Sequence, residues 1–337
     1  MFRAALDAAR DRGPEVHTAG VVRSYDFLAA GTELRDALLW GLSQAEKSLP
    51  WRVLFDTHGQ QLFERVAAQP EYLAARTEKN ILNANIGEIV EFIGGDSQCL
   101  DLGNHASASA AFLLEHLRPS IYAPIDTSMP TLMDTLANNS QRFPWLNICG
   151  IRADYEKPLH LPRFVGVPVR CKAVLLLGLV FARYGPQDAQ DLLSQVRALA
   201  GPAGRVLLTV DQTTDWQILQ GAYNDQRGAM EAFHTNALRH INRELQGDFQ
   251  IQRFHHRANF EPKGARIEMF LESQYAQFAH VAGQRVDFAL GERIRTAMHN
   301  TYADGLFRDM AQKARLRIEK TWCDTHKLLA VHAMVAQ

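Results

Sequence analysis

Between Cys99 and Asp211 the sequence repeats one pattern: a short apolar run, a turn, then apolar residues at helical spacing. The runs fall at 99–103, 121–126, 147–151, 173–180 and 205–211, and the longest of them, Ala173–Val180, carries no charged residue. Continuous apolar strands of this kind are those covered by helices on both faces, and their alternation with helices predicts a parallel, doubly wound sheet. Ligands of such sheets bind beyond the carboxyl ends of the strands. The first unit reads Cys99-Leu100-Asp101-Leu102-Gly103-Asn104-His105-Ala106-Ser107, a helix pattern, then Ile121-Tyr122-Ala123-Pro124-Ile125-Asp126. Small turn residues let backbone N–H groups approach a nucleoside, and an acid some twenty residues on accepts hydrogen bonds from ribose hydroxyls. Only Gly103 stands where a G-x-G-x-x-G turn needs glycine, and His105 follows two positions later, so this motif is weak by itself.

The flanking segments behave differently. Residues 1–21 are expected to form a flexible N-terminus. Leu28, Leu34, Leu38 and Leu42 predict a helix over 25–42, further helices run through Leu62–Val66 and from Arg76 to Phe92, and Gly94-Gly95 is a turn. Residues 212–246 read as helical and 249–288 alternate like antiparallel strands. A helix at about 303–314 precedes strands at 316–322 and 328–334, joined by a turn at Asp324. The resulting class is α/β, with a C-terminal antiparallel hairpin closing the sheet and a smaller α+β cap. The expected division is 77–211 with 302–337 as the core, and 22–76 with 212–301 as a substrate-binding cap.

Composition excludes several functions. Of 337 residues 47% are hydrophobic and the net charge is −1, with no long run of like charges. Neither a nucleic-acid footprint nor a basic membrane face is expected. The longest apolar run is too short to span a bilayer, and Met1–Gly20 lacks the apolar core of a signal peptide. Four scattered cysteines without a C-x-x-C pair point to reduced, mostly buried thiols and a cytoplasmic protein. No metal-ligand spacing appears, and His255-His256 on a strand would face opposite ways.

Several segments resemble the histidine N-alpha-methyltransferases of the ergothioneine pathway, a class I family dependent on S-adenosylmethionine (SAM). They are Phe55-Asp56-Thr57-His58-Gly59-Gln60-Gln61-Leu62-Phe63, Pro70-Glu71-Tyr72 with Arg76-Thr77-Glu78, Ala222-Tyr223-Asn224-Asp225, Ala232-Phe233 with Asn236, Asn242-Arg243-Glu244-Leu245, Arg266-Ile267-Glu268-Met269 and Asp287-Phe288-Ala289. The resemblance implies a Rossmann-like class I methyltransferase with SAM as cofactor. Gly103 falls on the first glycine of the SAM turn, with Asn104 and His105 beside it, and Asp126 on the ribose-binding acid. Asp154-Tyr155 falls on the pair that reads adenine, and Gly178 on a glycine ending the fourth strand. Phe55 stands for a tyrosine near the cofactor. Tyr72 and Tyr223 match tyrosines of the amino-acid pocket, where they are the candidate catalytic residues, and Phe63 joins that pocket. Near the cofactor turn, His105 replaces the second glycine and Ser109 stands where the family has a lysine. In the acceptor pocket, Arg183 replaces an asparagine that holds the substrate amine, and Ala297 and His299 replace the Glu and Ser that grip imidazole. Histidine is therefore not the expected acceptor.

A sulfonium makes its attached carbons electrophilic, so the protein has to align a nucleophile, exclude water and tolerate positive charge, for which aromatic faces are suited. Each candidate also has a plain structural reading: core aromatics, Asp as a helix cap, Arg183 before a Tyr184-Gly185-Pro186 turn, His299 in a core. Read functionally, Arg183 clamps a carboxylate and His299 contacts the acceptor. The leading expectation is N-methylation of a non-histidine amino acid or small amine. The alternatives are attack of SAM's own amine on its γ-carbon, giving azetidine-2-carboxylate and methylthioadenosine, or aminocarboxypropyl transfer; a third is an inactive binding protein. The expected partners are a small amino-acid substrate or SAM alone, without nucleic acid, membrane or metal.

Overall fold

A computed structural model describes residues 20–28, 32–103, 107–162 and 166–337. The chain opens with β1 (Val22–Asp26), then α1 (Thr32–Ser43), α2 (Thr57–Ala67), α3 (Leu73–Ala84) and α4 (Ile86–Ile93). The alternating stretch follows as β2 (Ser97–Leu102), α5 (Ser107–Leu117), β3 (Ile121–Asp126), α6 (Met129–Arg142), β4 (Asn147–Arg152), β5 (Cys171–Leu176), α7 (Pro186–Ala200) and β6 (Arg205–Asp211). After it come α8 (Trp216–Tyr223), α9 (Ala229–Glu244), β7 (Phe254–Glu261), β8 (Arg266–Ser273), β9 (Gln277–Val281), β10 (Gln284–Phe288) and β11 (Arg293–Asn300). The last elements are α10 (Asp304–Lys313), β12 (Leu316–Cys323) and β13 (Leu329–Ala336).

Eight strands form one sheet in the order β1-β4-β3-β2-β5-β6-β13-β12. The first six run parallel, while β13 is antiparallel to β6 and β12 antiparallel to β13. The order reverses at β2, whose neighbours are β3 and β5, so the crevice of a doubly wound sheet lies there. Every residue of β2 and β3 is buried. One apolar layer includes Leu100, Ile125, Val174 and Phe181, and the other includes Leu82, Ile89, Leu114, Leu175 and Trp322. A third core joins Leu54, Phe55 and Leu62 to Phe233, Leu238, Leu271 and Ile294, beneath the three-stranded sheet β11-β8-β7.

The local chemistry of the ends is ordinary. Asp56 caps α2 through Gly59 N at 2.7 Å, Asp215 caps α8, and α7 opens on Pro186 and stops at Gly201 with φ 71°. Six expectations are corrected. The helix placed over 25–42 gives way to β1, because Val22 to Asp26 pair in register with Ile148 to Arg152 on the sheet edge, and the helix begins at Thr32. Gly20 and Val21 are likewise bonded, to Pro144 O and by Ile148 N, so the N-terminal boundary falls before them, and residues 22–26 join the main sheet rather than the cap. The strand at 173–180 ends at Leu176. Gly178 (φ 68°) and Leu179 (φ 60°) both turn left-handed there, and Val180–Arg183 becomes a 3-10 turn across the strand ends. Ile251–Arg253 is a 3-10 turn leading into β7, and the helix from 76 to 92 breaks at Asn85. Cys99 and Cys149 are buried, whereas Cys323 is exposed and Cys171 half-buried, so the thiols are less uniformly buried than expected. Residues 1–19, and the turn residues Asn104 and His105, lie outside the described residues.

Candidate functional site

The strand ends and the third core face one another across an open cavity. Phe55, Phe63, Tyr72, Gly178, Arg183, Tyr223 and His299 line it, so the fold gathers seven sequence-predicted site residues on one wall system. Apolar and sulfur-bearing side chains such as Trp51, Leu54, Met230, Phe233 and Met269 line the rest, together with His234 and Ala297. Aromatic rings interlock along one side. Phe55 meets Phe233 at 5.2 Å and Phe63 at 5.6 Å, Phe63 meets Tyr72 at 5.9 Å, and Tyr72 meets Tyr223 at 6.0 Å. Such ring edges and faces make a cation-tolerant wall.

Arg183 enters from the 3-10 turn that the Gly178-Leu179 reversal creates, held by Asn300 Nδ2 donating to Ala182 O at 3.0 Å. Its guanidinium lies 4.6 Å from the Trp51 ring centre and 4.9 Å from that of Phe55. Nη1 is buried and has no hydrogen-bond partner among the described residues. A buried donor of this strength calls for an acceptor, and a carboxylate fits the fork of a guanidinium.

His299, on β11, has both ring nitrogens engaged: Nε2 with Asp211 Oδ2 at 2.7 Å and Nδ1 with the Tyr223 hydroxyl at 2.6 Å. It therefore meets an acceptor with its ring and not with a free nitrogen, which narrows the substrate-binding role expected of it. The Tyr72 ring packs edge to face on that of Tyr223. Burial pushes the Tyr72 hydroxyl up to about 12 and that of Tyr223 well above its ordinary value, so both are neutral phenols. His255 reaches out to Glu231 while His256 turns inward to Tyr223 O, the opposite facing that strand geometry requires.

The cofactor candidates sit at the sheet's carboxyl edge. Gly103 ends the first unit with φ 76°, and a Cβ there would meet Val180 Cγ2 at 3.0 Å and the Tyr155 hydroxyl at 3.2 Å, so a side chain would be both strained and crowded. Asp126, at the end of β3, is buried. It accepts from Ser128 N at 2.7 Å, and burial raises its carboxyl to about 6. Asp154 accepts from Arg52 at 2.7 Å and from Glu156 N at 3.1 Å. Tyr155 is buried beside Gly103. A glycine where a Cβ would be strained and crowded, and a carboxylate at the end of the neighbouring strand, form the cradle that the ribose end of an adenosyl group needs, so the residues present fit SAM.

Sequence reasoning missed four contributors. Glu78 on α3 accepts from Gly178 N at 2.7 Å, from Thr209 Oγ1 and from Ser109 Oγ, pinning the turn after β5 to β6 and α5. Arg52 and Trp51 hold Asp154 and Arg183. Asp211 ends β6 as Asp126 ends β3, and that strand-end position was the one available signal. The quoted motif residues prove to fasten helices. Asp56 also accepts from Asn236 and Arg243 of α9, each at 2.7 Å, and Asp225 caps α9 through Ala229 N and Met230 N. No cluster of metal-ligating side chains occurs among the described residues.

A family model described as histidine-specific, SAM-dependent methyltransferase matches residues 34–336. The histidine N-alpha-methyltransferase of Mycolicibacterium smegmatis is 31% identical over 303 residues, covering 88% of this chain and 92% of that protein. A 4-dimethylallyltryptophan N-methyltransferase of Claviceps purpurea is 28% identical over 192 residues, covering 53% of this chain and 55% of that protein. Among solved structures, the CcbJ methyltransferase of Streptomyces caelestis aligns with a TM-score of 0.43 at 15% identity, over 75% of this chain and 89% of its own.

Proposed function

The chain belongs to the family of SAM-dependent, histidine-specific methyltransferases, and from that premise we propose that it methylates the α-amine of an amino acid other than histidine. One observation carries the choice of acceptor: the cavity offers an arginine whose buried Nη1 has no hydrogen-bond partner, and no free imidazole partner. Ala297 has no polar side chain, and both nitrogens of His299 are taken. Arg183 supplies the grip for a carboxylate instead.

In this reading SAM supplies a methyl carbon activated by its sulfonium. Asp126 accepts from the ribose hydroxyls, and Gly103 and Gly178 let the backbone come close. Asp154 and Tyr155 border the base, with Arg52 fixing the Asp154 carboxylate. Phe55, Phe63 and Phe233 exclude water around the positive centre. Arg183 orients the acceptor's carboxylate, and Tyr72 and Tyr223 hold its amine, where alignment supplies most of the rate. The division into a cofactor core and a cap fits this arrangement. Residues 77–211 and 302–337 carry the strand-end groups, while 27–76 and 212–301 supply most of the acceptor wall.

A second reading stays open because of Arg183 itself. The same unpartnered Nη1 suits the carboxylate of SAM, which would fold the molecule for attack by its own amine and release methylthioadenosine. Incubation with SAM alone separates the two. Product without an added acceptor supports cyclisation, and product only with an amino acid supports methyl transfer.

A further inference from the structure

We propose that Asp211, His299 and Tyr223 form a proton relay that removes the proton of the acceptor's ammonium group, an inference resting on the methyl-transfer reading. The three side chains are almost fully buried and lie in line, with 2.7 Å between Asp211 Oδ2 and His299 Nε2 and 2.6 Å between Nδ1 and the Tyr223 hydroxyl. A carboxylate only accepts, so Nε2 carries the hydrogen, and Nδ1 then presents a lone pair to the Tyr223 O–H. Thr213 N donates to the other Asp211 oxygen at 2.8 Å, which fixes the carboxylate.

The need for such a chain follows from the substrate. An amino acid's amine is largely ammonium near neutral pH and has no lone pair to attack with. The two tyrosines cannot serve as phenolates, because burial holds them protonated. Tyr223 can instead take a proton on its oxygen while passing its own to His299 Nδ1, leaving an imidazolium beside Asp211. The broken N–H bond leaves its electron pair on nitrogen. That pair forms the new N–C bond as the C–S bond breaks, and the sulfur keeps the C–S electrons as a thioether. One proton remains on the relay and returns to water after product leaves.

The other polar groups facing the relay are compatible with this path. Tyr72 packs edge to face against Tyr223, and Arg183 favours proton loss there. Glu78 acts on Tyr72 from α3, and His256 Nε2 donates to the Tyr223 carbonyl at 2.8 Å. His299 and Asp211 are positioning residues that act through Tyr223.

The test uses the full chain with SAM and a panel of common amino acids. His299→Gln retains a polar bridge but cannot store a proton. Expected is a loss of about 10²- to 10⁴-fold in kcat with KM changed little, and a residual rate that climbs with pH where the wild type is flat. Asp211→Asn should share that pH profile, and retained SAM binding shows that either variant is folded. Nitrogen-15 NMR of histidine-labelled wild type should find the His299 hydrogen on Nε2. An unchanged pH profile with methylated product still forming, or a hydrogen on Nδ1, overturns the relay alone. Absence of methylated product from the wild type with every amino acid overturns the methyl-transfer reading and the relay together.

Discussion

Two side chains at the site, Asp126 and Arg183, each make a separate expectation. Asp126 is raised to about 6 by burial, and Asp101 likewise, so the native state holds their protons more tightly than the unfolded chain does. Stability from this source is therefore present at low pH and lost as pH rises from 3.8 to about 6. Ribose binding runs the other way, since the ionised carboxylate is the better acceptor. SAM affinity measured by calorimetry should weaken several-fold between pH 7.5 and pH 5, roughly as one group takes up a proton, and Asp126→Asn should flatten that dependence. Arg183 keeps an unpartnered Nη1 between Trp51 and Phe55. Arg183→Met should leave the melting temperature equal or higher while raising the acceptor's KM about 10- to 100-fold, the size of a lost charge-assisted hydrogen bond. A fall in stability with unchanged KM would mark Arg183 as structural.

The elements around the cavity are joined by polar clasps rather than by apolar contact alone. Asp56 satisfies Gly59 N, Asn236 and Arg243, tying α2 to α9. Asp56→Ala removes a cap and strands the buried Asn236 amide, so a loss of about 2–4 kcal/mol is expected in chemical denaturation. A loss under 1 kcal/mol would show that the clasp is dispensable. Gly59 is fixed for a different reason: a Cβ there would lie 1.8 Å from Leu54 O. The motif residues were legible in the sequence as a block, but the role of Asp56 as a fastener was not, because its bonds to Asn236 and Arg243 close across well over a hundred residues. The parallel strands were legible because buried strands read as continuous apolar runs. For the same reason the end of β5 was hidden: Leu177, Leu179 and Val180 prolong the run, and only Gly178 hints at the reversal. The strand β1 escaped notice as a short edge strand whose two apolar residues, Val22 and Tyr25, stand three apart, a helical spacing.

At the scale of the whole molecule, the cavity exists because the β11-β8-β7 sheet and α8–α9 close over the strand ends of the larger sheet. Asp126, Gly103, Tyr72, Tyr223 and Arg183 could be singled out in the sequence because each falls on a strand end or within a recognisable block. The Asp211–His299 pair could not, since it spans 88 residues and joins strands of two different sheets. The acceptor's identity depends on that second kind of contact, which is why the fold was easier to read than the substrate. No helix among the described residues is long and apolar enough to cross a membrane. The most direct measurement is mass spectrometry of the adenosine product formed by the full chain from SAM, first alone and then with each common amino acid. Expected is S-adenosylhomocysteine, with a methylated amine, only when an amino acid other than histidine is present. Methylthioadenosine from SAM alone, or histidine as the methylated acceptor, would contradict it.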